Sequence, residues 1–285
     1  MPSLIDIRRR IRSVKNTQQI TKAMKMVSAA KLRRAQDRVI AARPYAAALG
    51  KVLANVAAAA AVDPDAGANP LLAQRPAQKI LLVLVTADKG LAGAFNSNLI
   101  KGAQRFIAER QEASVSLELI GRKGRDFFRK RGARIAGEQI NLAGRPTFQD
   151  IAPIARKAME MYRTAEIDAV HITYNEFKSV VAQKLMQVQI LPVQLPVQIA
   201  PVDYIFEQPP AEMLDALLPR YVEVMFYRAL LESVAAEHAA RMTAMEAATS
   251  NAAEMIDKLT LYMNRVRQAS ITKEIIEVVS GAAAE

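Results

Sequence analysis

The chain has 285 residues, is 51% hydrophobic with only 5% aromatics, and carries a formal charge of +11. That length and apolar share support one sizeable core with room for two subdomains, while the lack of tryptophan disfavours a large aromatic-lined ligand cavity. With no cysteine and only two histidines, His171 and His238, far apart in sequence, disulfides, thiolate metal sites and a histidine zinc site are excluded from the expectation, and no metal or cofactor is foreseen.

Residues 1–62 read as a long N-terminal coiled-coil helix. Neither glycine nor proline occurs from Ser3 to Arg43, and Ser3 with Asp6 three residues on is a helix start signal. Leu4, Ile7, Ile11 and Val14 form one apolar stripe, which then drifts through Ile20, Met24, Val27, Ala35 and Val39. A drift of this kind predicts a nearly straight helix rather than a strict heptad zipper. Pro44 and Gly50 are expected to bend or interrupt it, and "VDPDAGANP" to end it. Twelve lysines and arginines face only Asp6 and Asp37 between residues 1 and 43, a net +10. An acidic partner is implied: nucleic acid, anionic lipid or an acidic protein surface. The basic start has no apolar segment of the kind a secretory leader needs and runs straight into the helix, so it is expected to be retained. No apolar run is long enough to span a bilayer.

Residues 77–205 change period and read as an α/β domain. "KILLVLVTAD" is a continuous apolar run, hence a buried strand. "SVSLELIG", "GARIAGEQI" and "IDAVHITYNEF" follow as strands, alternating with helices over "SNLIKGAQRFIAERQ", "RKGRDFFRKRG" and "FQDIAPIARKAMEMYRTA". This alternation predicts a mostly parallel, Rossmann-like sheet covered by helices. "AQKLMQVQILPVQLP" adds a last strand at an edge, where Pro192 and Pro196 are tolerated. The stretch "TADKGLAGAFNSN" lies where such domains bind phosphates. Gly90 and Gly93 complete no phosphate-binding motif, however, and a turn capped by Asn96 or Ser97 explains the stretch. No nucleophile–base pair or metal cluster marks the chain as an enzyme in its own right.

Residues 209–285 read as a long C-terminal coiled-coil helix with a projecting tip. Ala235, His238, Met242, Met245, Thr249, Ala252, Ile256, Leu259, Met263 and Val266 alternate by four and three, a sustained heptad seam. The simplest fold is an antiparallel coiled coil of the two terminal helices with the α/β domain inserted between them. Near the end the seam fails, with Ser270 and Lys273 at its positions, and a different apolar set appears: Ile271, Ile275, Ile276, Val278 and Val279. Apolar residues on a lone projecting helix require cover from another protein.

"NTQQITKAMKMVSAAKLRRAQ", "TADKGLAGAFN", "EHAARMTAMEAATSNA" and "NRVRQASITKEIIEVVSGA" together resemble the γ subunits of F-type ATP synthases, over essentially the whole chain. The resemblance implies a central rotor shaft. Its coiled coil would stand in a hexamer of α and β subunits and its α/β domain on the membrane-embedded c-ring beside the ε subunit. The shaft would couple proton flow to ATP synthesis and hydrolysis at β, as a non-catalytic subunit without nucleotide, metal or cofactor of its own. Arg267, Gln268 and Thr272 match the family's polar catch on the surrounding subunits. Ile275, Ile276, Val278 and Val279 match the tip that turns in an apolar sleeve. Met24 and Lys25 match the block that faces an acidic helix–turn–helix of β, and Tyr204 and Glu207 lie in the stretch matching the foot at ε and the c-ring. Lys89 and Ala92 depart mildly from the family's commoner Arg and Cys. The absence of a cysteine pair argues against the redox-regulated chloroplast form. A start without a presequence points to a bacterial type at the cytoplasmic face of the inner membrane, held there indirectly through the c-ring. Two other classes stay open from the residues themselves: a basic coiled-coil protein that binds nucleic acid, which lacks stacking aromatics in its basic helix, and an α/β enzyme that binds a nucleotide at Gly90–Asn96.

Overall fold

Ser3 opens the first helix through a reciprocal cap. Its hydroxyl accepts from the Asp6 amide at 3.2 Å, and the Asp6 carboxylate accepts from the Ser3 amide at 3.2 Å. In the computed structural model, which describes residues 3–60, 69–144, 146–194 and 207–282, this helix, α1, runs unbroken from Leu4 to Ala60. The expected interruption at Pro44 and Gly50 does not occur. Ile40 and Pro44 lie on the exposed face, where water can take the carbonyl that the proline leaves unbonded. Gly50 fits against the Tyr221 ring, and the neighbouring Leu49, Leu53 and Val56 are buried deeply enough to offset its poor helix propensity of about 1 kcal/mol.

The chain divides into two compact units. The first comprises residues 1–29 and 241–285 and pairs the start of α1 with the end of the last helix, α5 (Pro210–Ala282). Here the α1 stripe differs from the expected drift. The seam runs through Ile7, Ile11, Val14, Gln18, Thr21, Lys25 and Ser28, a strict alternation of four and three, with Met24 half-buried beside it, whereas Ile20 and Val27 are 60% and 56% exposed. Polar residues occupy the seam because they meet polar partners. The Thr21 and Thr249 hydroxyls lie 2.8 Å apart, and the Lys25 ammonium donates to Glu246 at 2.6 Å. On α5 the expected seam residues from Met242 to Val266 are all buried or half-buried.

The second unit spans residues 30–240. Its sheet contains β1 (Lys79–Val85), β2 (Ser114–Ile120), β3 (Ile135–Gln139), β4 (Ala169–Phe177) and β5 (Gln183–Leu191), in the order β3-β2-β1-β4-β5. The first four are parallel and β5 is an antiparallel edge, ending where Pro192 cannot continue the ladder. The crossovers are α2 (Phe95–Ala108), α3 (Arg122–Arg129) and α4 (Phe148–Arg163), the last started by a Thr147–Asp150 capping box. β1 is central and buried from Ile80 to Val85, as its unbroken apolar run requires. α1 and α5 join this core through Glu232, whose buried carboxylate accepts from Arg43 at 2.8 and 2.9 Å and from the Phe177 amide at 3.1 Å. One carboxylate thereby satisfies the end of β4 and a guanidinium on α1.

His171 on β4 packs against Phe106, with ring centroids 4.9 Å apart, and Arg110 covers the same Phe106 ring. Burial, helped by the Arg110 charge, lowers the His171 pKa from 6.5 to about 4. The unfolded chain therefore binds more protons than the folded one between these values, and stability rises with pH across that window. Acidification from pH 6.5 to 4 is expected to lower the melting temperature, and His171→Gln to flatten that part of the profile. Thermal melts at a series of pH values check this; an unchanged slope in the variant would contradict it.

Candidate partner-binding surface

The antiparallel register of the first unit fixes where cover ends. Thr21 faces Thr249 and Lys25 pairs with Glu246. Carried toward the start of α1, the same register brings Leu4 opposite Val266. Val266 is also the last seam residue with an apolar side chain that is not fully exposed. From residue 267 to 282, α5 therefore continues as a single helix, about 24 Å long at 1.5 Å per residue.

Arg267 and Gln268 are the first residues beyond this limit, and both are exposed. The positions four residues before and after Arg267 are Met263 and Ile271, so its helix offers no carboxylate one turn away. Among the described residues Arg267 has no ion pair. Thr272 donates its hydroxyl to the Gln268 carbonyl at 2.9 Å, which leaves the oxygen's lone pairs and the whole Gln268 amide for an outside partner. Farther on, Ser270 donates to Glu274 at 3.2 Å and Lys273 pairs with Glu277 at 3.4 Å, so these charges are engaged along the helix itself. Ile275, Ile276, Val278 and Val279 are 57%, 57%, 72% and 62% exposed, and Ile271 is 49% exposed. The tip thus presents one polar band followed by apolar turns, uncovered by any other described part of the chain.

Met24 and Lys25 lie lower on the same unit and are both half-buried. The Lys25 charge is already engaged by Glu246, a partner that the sequence alone does not disclose because it lies 221 residues away. Residues more open than Met24 were missed beside it: Ile20, Met26 and Val27 on α1, and Leu261 and Tyr262 on α5, are exposed apolar side chains. Their signal becomes visible only once the heptad is placed on Thr21, Lys25 and Ser28, which turns these residues outward. Glu207 is exposed just before α5, and Tyr204 lies outside the described residues.

The turn after β1 has a different character. All four first amides of α3 are committed within the domain. Arg122 donates to the Asp88 carboxylate at 3.1 Å, Lys123 to the Ala87 carbonyl at 3.0 Å, Gly124 to the Thr86 hydroxyl at 2.9 Å and Arg125 to the Gly121 carbonyl at 3.3 Å. Thr86, Ala87 and Asp88 thus fill the N-terminal end of α3 with their own oxygens. Asn96 and Ser97 do not cap α2 as expected. They lie inside it: Asn96 accepts from the Ala87 amide at 3.0 Å and Ser97 donates to the Ala94 carbonyl at 3.0 Å. The stretch is a structural turn that ties β1 to α2 and α3.

Comparison with known proteins bears on what covers the tip. A family model described as ATP synthase matches residues 3–284. The ATP synthase gamma chain of Solibacter usitatus is 72% identical over 284 residues, covering 100% of this chain and 99% of that one. That of Pelotomaculum thermopropionicum is 50% identical over 287 residues, covering 100% and 99%. Among solved structures, a chain of the Tetrahymena thermophila mitochondrial ATP synthase central stalk and c-ring superposes with a TM-score of 0.64 at 26% identity, covering 80% of this chain and 99% of that one. A chain from the OSCP/F1/c-ring assembly of the Euglena gracilis mitochondrial ATP synthase, at 20% identity, shares the fold, with a TM-score of 0.68 over 99% of this chain and 94% of that one.

Proposed function

The chain belongs to the family of ATP synthase gamma chains, and we propose from that premise that it is the rotor shaft of an F-type ATP synthase, coupling proton flow through the membrane sector to ATP synthesis and hydrolysis at the β subunits. The observation that carries this reading is the helix beyond Val266. It offers a cation, an amide and then exposed apolar turns, and nothing else among the described residues covers them. A ring of α and β subunits supplies both kinds of partner, acceptors for Arg267 and Gln268 and an apolar sleeve for Ile275, Ile276, Val278 and Val279. Thr272, one turn from Gln268, belongs to the same grip. The shaft acts as a mechanical effector: an asymmetric helix pair meets each β subunit differently and biases its conformation.

The chain works within a membrane-associated complex. Among the described residues no helix is long and apolar enough to cross a membrane; in the proposed reading its attachment runs through other subunits. The c-ring and ε take the lower part of the chain, with Tyr204 and Glu207 as candidate contacts, at the cytoplasmic face of a bacterial inner membrane. Affinity purification of the chain from native membranes tests the reading. α and β subunits are expected at three copies each per copy of this chain; recovery of the chain without them would overturn it.

Met24, Lys25 and the exposed Ile20 and Val27 form the candidate contact with an acidic segment of β. Met24→Lys adds a charge-assisted bond to that segment, worth about 1.5–3 kcal/mol where partly desolvated. A bond made in one rotary position must be broken at the next, so coupling is expected to fall more than assembly. Glu246→Gln frees the Lys25 ammonium and should act in the same direction. Proton pumping per ATP in assembled complexes checks both, and unchanged pumping in both variants would contradict the contact.

A further inference from the structure

Within the second unit, three cations of α1 line one cleft. Lys31, Arg34 and Arg38 lie on successive turns and border a space of about 210 Å³. Leu231, Val234 and His238 of α5 form another wall, and Pro146 flanks it. Among the described residues no carboxylate pairs with Lys31, Arg34 or Arg38. Arg34 and Arg38 stand four residues apart on one helix, where like charges repel. The coiled-coil seam does not use these side chains, since all three are exposed while Leu32, Ala35 and Val39 are buried beside them. Two guanidinium forks and an ammonium bordering one concave space suit the oxygens of a phosphoryl group, which each fork can grip through paired N–H donors.

We infer that this cleft binds a compact phosphoryl oxyanion, inorganic phosphate or pyrophosphate. The volume argues for a small ligand over an acidic protein segment: a helix about 10–12 Å across is too wide to enter such a space and could only cover its mouth. Among the described residues no Phe, Tyr or Trp lines the cleft, so a nucleoside attached to the phosphates gains no large stacking surface. Neither the tip nor Met24 takes part in this site, so its occupancy is independent of the rotor role.

The test is calorimetry on the full-length chain at low salt, with inorganic phosphate, pyrophosphate and ATP as separate probes. One saturable site is expected, tighter for pyrophosphate than for phosphate, and no tighter for ATP than for pyrophosphate. Lys31→Gln/Arg34→Gln/Arg38→Gln should weaken pyrophosphate at least tenfold and abolish the rise in melting temperature that pyrophosphate gives the natural chain. Circular dichroism checks that the triple variant folds; should it not, Arg34→Gln alone must still lower affinity severalfold. Arg38→Lys, which keeps the charge and loses the fork, should fall between. Equal binding by the natural and neutralised chains, or no saturable binding, would overturn the proposal. So would a poly-glutamate peptide that binds the same residues more tightly than pyrophosphate, which would assign the cleft to an acidic protein partner.

Discussion

Replacing Arg267 and Gln268 together by leucine is expected to lower ATP hydrolysis and ATP synthesis about tenfold while leaving the complex assembled. Both residues follow directly on the last position that α1 can cover, and Arg267 has no carboxylate one turn away on its own helix. On the proposed reading its partners lie on surrounding subunits. A charge-assisted hydrogen bond contributes roughly 1.5–3 kcal/mol, and a loss of about 1.4 kcal/mol confined to some rotary states amounts to a factor of ten in rate. Assembly should survive because the coiled coil below Val266 and the apolar turns at Ile275, Ile276, Val278 and Val279 are unchanged. Turnover of purified, fully assembled complexes is the measurement. Natural turnover in the double variant would mean that this band is only a solvated helix face.

Gly121→Ala should be the most damaging single change to the inserted domain. Gly121 links β2 to α3 with φ near +96°, and an added Cβ would lie 2.1 Å from the Thr86 carbonyl oxygen and 2.9 Å from its hydroxyl oxygen. Both neighbours are fixed. The Thr86 amide donates to Ile120 at 2.8 Å, and its hydroxyl accepts from Gly124 at 2.9 Å. A shift that relieved the clash would break the end of β1 away from α3. Backbone strain of about 1–3 kcal/mol and overpacking of about 1–3 kcal/mol combine to roughly 2–6 kcal/mol. For a unit of this size, that is on the order of 10 °C in melting temperature. Gly132 is the control: its φ is +65°, but nothing lies within 4 Å of an added Cβ, so alanine there should cost only about 1 kcal/mol. Equal melting temperatures for the two variants would refute the close packing at Thr86.

Much of this architecture was legible because the periods are clean. The apolar run at Ile80–Val85 is long enough to require burial on both faces, and the heptad of α5 continues through alanines and methionines. The matching seam of α1 was not legible from apolar residues. Gln18, Thr21, Lys25 and Ser28 hold seam positions because Thr249 and Glu246 meet two of them from α5, and that pairing is visible only when both helices are in register. Following apolar side chains instead led outward, to Ile20 and Val27, which belong to the surface. Asn96 misled for a related reason. Its type suits a cap, but the Ala87 amide, nine residues earlier, claims its oxygen. The point where α5 leaves the seam was legible, since the heptad visibly fails at Ser270 and Lys273, while the proposed role of the turns beyond it rests on family likeness.

Rotation of the two-helix shaft inside its partners is tested by immobilising a complex of this chain with α and β subunits, fixing a visible probe to the α/β domain at an exposed position such as Val181, and supplying ATP. Continuous rotation of the probe in one sense is predicted, at a rate that follows ATP hydrolysis and slows about tenfold in the Arg267→Leu/Gln268→Leu variant. Hydrolysis at a normal rate while the probe stays still would contradict it.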